Sequence, residues 1–154
     1  MMADAEFRDI LREVGIEATP IRLAVLAVMA EEGRAVSAME IVSAVRRNRP
    51  ANKVTVYRAL DLFVEKGVAL RHALEDRAFR YCLGAAHHSA FHCHVWCRLC
   101  GRMECVSEAA AGLGPGVLGE RLGMEVTGVE IRIDGICDHC RRAGEGASPR
   151  PLSH

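Results

Sequence analysis

Apolar residues recur at helical spacing through the first third of the chain. Ile21, Ala24, Val25, Val28 and Met29 follow the i, i+3, i+4, i+7, i+8 pattern of one buried helix face. Thr19-Pro20 supplies an N-cap with proline at the first helical position, and Gly33 supplies the stop. Ser37 caps the next helix, and Glu40, three residues on, completes a capping box. Ala38, Ile41, Val42 and Val45 form that helix's apolar stripe. Pro50, within the break from Asn48 to Ala51, bars a continuous helix. A third helix is expected from Val54 to Glu65, burying Val56, Leu60, Phe63 and Val64 and stopping at Gly67.

Beyond Gly67 the segments shorten. Val68 to Ala73 and Arg77 to Leu83 read as two strands around a Glu75-Asp76 turn. Three helices followed by a hairpin is the order of a winged helix-turn-helix, with the third helix as its recognition helix. Residues 84–90, GAAHHSA, read as a small-residue linker. Phe91 to Trp96 and Arg102 to Val106 then read as strands flanking a Cys-x-x-Cys-Gly turn. Ser107 to Gly123 is partly helical, weakened by Gly112, Gly114, Pro115 and Gly116. Glu125 to Ile133 alternates Val126, Val129, Ile131 and Ile133 as a strand, and residues 144–154 have the composition of a disordered tail. The expected fold class is therefore α+β: a winged helix-turn-helix over 1–83, a linker over 84–90, and a small α/β domain over 91–143.

Composition changes the picture little. Half of the 154 residues are apolar, and 20 basic residues balance 20 acidic ones, so a folded globular chain is expected. No run of about 18 apolar residues occurs, so no membrane-spanning helix is expected. The N-terminal stretch MMADAEFRDILREVG is charged throughout and is not read as a secretory signal. Seven cysteines without an export signal point to the cytoplasm, where paired cysteines serve as metal ligands or redox groups.

Local charge is more informative. From Arg46 to Arg58 the chain reads RRNRPANKVTVYR, with five cations and no acid. A basic run is most often a solvated face. Here it falls on the expected recognition helix, which offers Lys53, Thr55 and Arg58 on its polar side with Tyr57 beside them. Those side chains hold phosphates or read base edges, so double-stranded DNA is the expected partner.

The stretch FHCHVWCRLCGRMEC, residues 91–105, carries two histidines, four cysteines and one acid. Cys97 and Cys100 form one Cys-x-x-Cys pair, and Cys137 and Cys140 a second. Two such pairs complete a closed, structural S4 zinc site. The rival is a redox dithiol, which needs a pair at a helix N-terminus, whereas the surroundings here read as β-turns. His92 and His94 are two apart on an expected strand and so share a face, while Cys93 points to the other. If the linker folds back, His72 and Cys82 of the wing can join them in a second, regulatory metal site. A zinc hydrolase or deaminase would need H-x-E or HExxH, and neither occurs, so an enzyme is not expected.

These motifs together, from about Glu6 to Arg142, resemble the ferric uptake regulator family of bacterial metalloregulators. The resemblance is carried by ATPIRLAVL, KVTVYRALDLF, ALRH, the H-x-H before CRLCG, and the closing CDHC. It implies an N-terminal winged helix, a C-terminal dimerisation domain, and homodimers that bind palindromic operators when metal-loaded, mostly as repressors. Tyr57 and Arg58 match the family's DNA contacts, and Cys97, Cys100, Cys137 and Cys140 its structural zinc ligands. His72, Cys82, His92 and His94 match its sensing site. The acid that many members place five residues after the first cysteine pair is Cys105 here, with Glu104 beside it.

The departures bear on the metal. Iron-sensing members carry a carboxylate where Cys82 stands, and often a histidine where Arg34 and Ala35 stand. A further site found in some members is absent or altered, since Cys93 and the histidine-free GVEIRID occupy its positions. Thiolate and imidazole favour Zn(II), whereas carboxylates suit Fe(II) or Mn(II). The expectation is a zinc-sensing repressor of zinc uptake genes, resembling the zinc uptake regulator branch. The alternatives are an Fe(II)-sensing repressor and, further off, a peroxide-sensing or redox-switched regulator.

Overall fold

The computed structural model describes residues 4–73, 78–84, 91–106 and 111–144. The chain divides into two compact units, Met1–His88 and Ser89–His154.

The N-terminal unit runs α1 (Asp4–Glu13), α2 (Pro20–Glu32), β1 (Arg34–Ser37), α3 (Ala38–Asn48), α4 (Lys53–Glu65), β2 (Ala69–Ala73) and β3 (Phe79–Leu83). The expected caps are present. Thr19 Oγ1 accepts the Arg22 N–H at 3.5 Å, and Gly33 closes α2 in the left-handed region at φ 58°. The Ser37 hydroxyl accepts the Glu40 N–H at 3.2 Å, and Glu40 Oε2 accepts the Ser37 N–H at 2.7 Å. Asn52 caps α4 through the Val54 N–H at 2.9 Å.

Two elements lie outside the periodic reading. The amphipathic helix α1 buries Phe7, Ile10 and Leu11, a signal diluted by the charges around it. Strand β1 is only four residues long, too short to show a period, yet it buries Ala35 and Val36. α2 also departs from a one-sided pattern: Leu23 and Leu26 are buried, while Ile21 and Ala24 are only partly so. It packs against α1, α3 and α4, so its buried surface covers more than one face. On α4, Ala59 is buried and Val64, near the helix end, is only partly covered.

Strand β3 is central in this unit, antiparallel to β2 on one side and β1 on the other. The register runs from Ala69↔Leu83 to Ala73↔Phe79, and the expected Glu75-Asp76 turn lies outside the described residues. Gly84 closes the hairpin: its N–H donates to Val68 O at 2.7 Å. A Cβ there would stand 2.4 Å from Gly67 O, which is backbone and cannot rotate aside.

The C-terminal unit runs β4 (Phe91–Cys97), β5 (Met103–Val106), α5 (Pro115–Leu122), β6 (Val129–Gly135) and α6 (Asp138–Ala143). β4 is the middle strand, antiparallel to β5 and parallel to β6. The last strand starts four residues later than expected and continues to Gly135. Residues 125–128 carry no regular structure, so Val126 belongs to the approach and not to the ladder. The segment 107–110 of the expected partial helix, and residues 145–154 of the expected tail, fall outside the described residues. α6, a single short helix, shows no period in the sequence.

Two predictions follow from the packing. Ser37→Ala lowers unfolding free energy by about 1 kcal/mol, and Gly84→Ala by about 1–3 kcal/mol because the backbone oxygen of Gly67 cannot yield. Urea unfolding followed by circular dichroism measures both. Glu40 generates a third. Burial pushes its carboxyl up, but the Ser37 backbone and hydroxyl and the Arg34 guanidinium outweigh burial and hold it below the ordinary carboxylate value. Its stabilisation is complete above the unfolded value and lost as pH falls through the lower folded value. A pH series of melting temperatures is therefore flatter on the acid side for Glu40→Gln than for the parent.

Candidate metal centres and nucleic-acid face

Parallel pairing of β4 with β6 sets Cys97 opposite Gly135. Both Cys-x-x-Cys segments therefore leave the same end of adjacent strands. Gly101, at φ 72°, lets the first turn close, with its N–H donating to Cys97 O at 2.9 Å. The Cys137 N–H donates to Cys97 Sγ at 3.3 Å. All four sulfurs, of Cys97, Cys100, Cys137 and Cys140, lie within 4.8 Å of one another, and Cys100 and Cys137 are 3.9 Å apart. Zinc–sulfur bonds of about 2.3 Å in a tetrahedron require sulfurs about 3.8 Å apart. The residues present fit such an ion.

The second pair differs from expectation. Cys137 is the N-cap of α6 and Cys140 lies within it, so this pair is not on a β-turn. Helical placement alone would suit a dithiol. The gathering of four sulfurs, two from each Cys-x-x-Cys pair, favours the metal.

Charge in the cluster has a clear order. Burial pushes the Cys97 thiol up, but N–H groups of Cys100, Cys137 and Leu99 outweigh it and bring it to about 6. Cys100 is pushed up, first by burial. Cys140 is pushed up to about 12, first by its contact with Cys137 and then by burial. Four thiolates side by side need a cation to ionise together.

The hairpin of the N-terminal unit assembles a different set. His72 and Cys82 stand on one face of β2 and β3, diagonal across the ladder, with His72 Nε2 3.3 Å from Cys82 Sγ. Cys82 is buried and His72 half-buried. On β4, His92 and His94 share a face with rings 3° from parallel and centroids 6.2 Å apart. Cys105 is directly opposite His94 on β5. Glu104 is opposite Val95 and therefore on the other face, where it pairs with Arg102 at 2.8 Å. Cys93 also faces away from the histidines, opposite Val106 and Ile131, and burial pushes its thiol up. His87 and His88 lie outside the described residues.

On α4, Lys53, Thr55 and Arg58 are exposed and Tyr57 is half-buried, with the Lys53 ammonium 5.4 Å from the Tyr57 ring centre. Arg46 has a structural duty within the basic run: its Nε donates to Ala51 O at 3.0 Å and fastens the α3–α4 turn. Sequence reasoning missed Arg80, whose Nη1 donates to Glu40 Oε2 at 3.3 Å, because that contact spans 40 residues.

Comparison with known proteins places these features in a family. The ferric uptake regulator family matches residues 13–114. The ferric uptake regulation protein of Haemophilus ducreyi is 33% identical over 98 residues, 61% of this chain and 64% of that protein. The match thus spans just under two thirds of that relative's length. The crystal structure of the Vibrio cholerae ferric uptake regulator is 25% identical, covers 84% of this chain and 98% of that one, and superposes with a TM-score of 0.62. A zinc uptake regulator complexed with zinc and DNA is 26% identical, covers 91% of this chain and 93% of that one, and has a TM-score of 0.58. With more than half of its residues matched, the chain belongs to the ferric uptake regulator family, whose proteins are transcriptional regulators and not enzymes.

Proposed function

We propose that this protein is a zinc-sensing, DNA-binding repressor that acts as a homodimer and controls zinc uptake genes. The observation that carries the zinc reading is the hairpin pair: a thiol at Cys82 within 3.3 Å of the His72 imidazole. Sulfur and imidazole donors select Zn(II) over Fe(II) or Mn(II). In this reading the regulatory ion takes His72 and Cys82 from the hairpin and His94 from β4, with His92 beside it. Cys105 supplies a further thiol, since it shares the face of His94 and Glu104 does not. An ion held this way selects one arrangement of the two units, which is how its binding energy reaches the DNA-binding surface. The similarity to a zinc regulator bound to zinc and DNA supports this reading.

The four-thiolate cluster holds a structural zinc. Such an ion supplies folding energy and leaves no open position for chemistry. Exposed apolar side chains of the C-terminal unit, Val117, Leu122, Met124, Ile133 and Ile136, support a second copy as partner. The basic side of α4 supports duplex DNA, with Arg58 and Tyr57 as principal contacts and Lys53 and Thr55 at its start. A curated relative described as a ferric uptake regulation protein favours the second reading, an Fe(II)-responsive repressor.

A titration of operator affinity at buffered free Zn(II), Fe(II) and Mn(II) separates the two. Zinc at cell-like concentration restores binding after mild chelation, and Cys82→Ser abolishes that response. A response to Fe(II) and not to Zn(II) overturns the zinc reading. Purified protein carries about two zinc ions per chain, one at each proposed site. Removal of the tighter ion, or Cys137→Ser, lowers the melting temperature. Arg58→Ala weakens operator binding by about 1–3 kcal/mol, and Lys53→Ala reduces the salt slope by about one.

A further inference from the structure

A third residue shares the hairpin face of His72 and Cys82. Antiparallel register sets Arg80 directly opposite His72, and the two-residue period of the strand puts it on the same side as Cys82. Cβ atoms opposed in this way stand about 5 Å apart. The guanidinium, however, reaches another element, where Nη1 donates to Glu40 Oε2 at 3.3 Å. Glu40 is the third residue of α3, the first helix of the helix-turn-helix, and its carboxylate closes the capping box on Ser37. Its other oxygen accepts from Arg34 at 3.0 Å. The stem of Arg80 thus lies with the metal-binding pair and its head at the start of a DNA-binding element. At 3.3 Å the contact is loose, since charge-assisted N–H···O bonds run about 2.7–2.9 Å.

We propose that Arg80 is a positioning residue, through which a metal on His72 and Cys82 acts on the helix-turn-helix. This rests on the reading of those two residues as regulatory ligands. Zn(II) on His72 and Cys82 displaces the Cys82 proton to solvent, so that face gains about one positive charge, which repels the guanidinium toward the Glu40 carboxylate. The Arg80–Glu40 contact shortens. Because Glu40 also holds the Ser37 N–H, the shortened contact fixes β3 to the first turn of α3. Linkage makes the effect reciprocal: an operator that holds α3 in this position tightens the metal.

The test uses the full chain with its structural zinc in place. Second-site Zn(II) affinity is measured without DNA by competition with a chromophoric chelator. Operator affinity is measured with and without Zn(II), on a duplex selected from a random palindromic library. In Arg80→Gln, second-site affinity rises about threefold to tenfold, because a neighbouring cation is gone. The zinc-induced gain in operator affinity falls by about fivefold or more, the scale of an ordinary coupling between sites. Arg80→Lys, which keeps the charge, returns second-site affinity toward the parent value. Glu40→Gln keeps an oxygen for the Ser37 N–H but leaves Arg80 without its counter-charge, and it weakens second-site affinity. Thermal melts establish that each variant is folded. If Arg80→Gln changes neither affinity while Cys82→Ser abolishes second-site binding, the relay is wrong and the site reading stands. If Cys82→Ser leaves second-site affinity unchanged, the site reading falls and the relay with it.

Discussion

The C-terminal unit depends on one pairing, the parallel register of β4 with β6. Because Cys97 stands opposite Gly135, both cysteine pairs emerge from the same end of adjacent strands, although 36 residues separate the pairs. A one-residue slip would turn every side chain of β6 to the other face. It would also carry Cys137 away from Cys97 Sγ, to which its N–H now donates. The same strand sorts the other chemistry-bearing residues. His92 and His94 take one face of β4, while Cys93 takes the opposite one, and both His94 and Cys93 are buried.

Glu40 has a comparable place in the N-terminal unit. One carboxylate receives the Ser37 N–H, the Arg34 guanidinium and the Arg80 guanidinium. Contacts from β1, α3 and β3 therefore meet at the start of the helix-turn-helix. Surface ion pairs are ordinarily worth little. This carboxylate matters because its partners come from separate elements and share one helix cap.

The two sulfur sites differ in what surrounds them. The four-cysteine cluster is closed, with every sulfur close to the others, and N–H donors bring its first thiol down to about 6. The hairpin offers one thiol and one imidazole, two donors where a tetrahedral ion wants four. A pair of donors needs further ligands to hold an ion, and that incompleteness suits a sensor better than a staple.

Local signals in the chain determined much of this protein. The caps at Thr19, Ser37 and Gly33, the helix of Lys53–Glu65 and the hairpin strands follow from side-chain chemistry within a few residues. The paired Cys-x-x-Cys segments and the H-x-H spacing were equally plain, as spacing fixes which side chains share a turn or a face. Four features needed the folded chain. β1 has too few residues to show a period, and its pairing with β3 is a contact between distant segments. The start of β6 at Val129 is set by its ladder with β4, and the approach from Glu125 alternates just as well. The choice between Cys105 and Glu104 as neighbour of His94 turned on the register with β5, which adjacent residues cannot reveal. The contact of Arg80 with Glu40 joins residues 40 apart, and nothing in either segment encodes it. Sequence carries propensities of neighbouring residues, whereas register and long-range charge contacts are set by the burial of whole faces, which only tertiary packing decides.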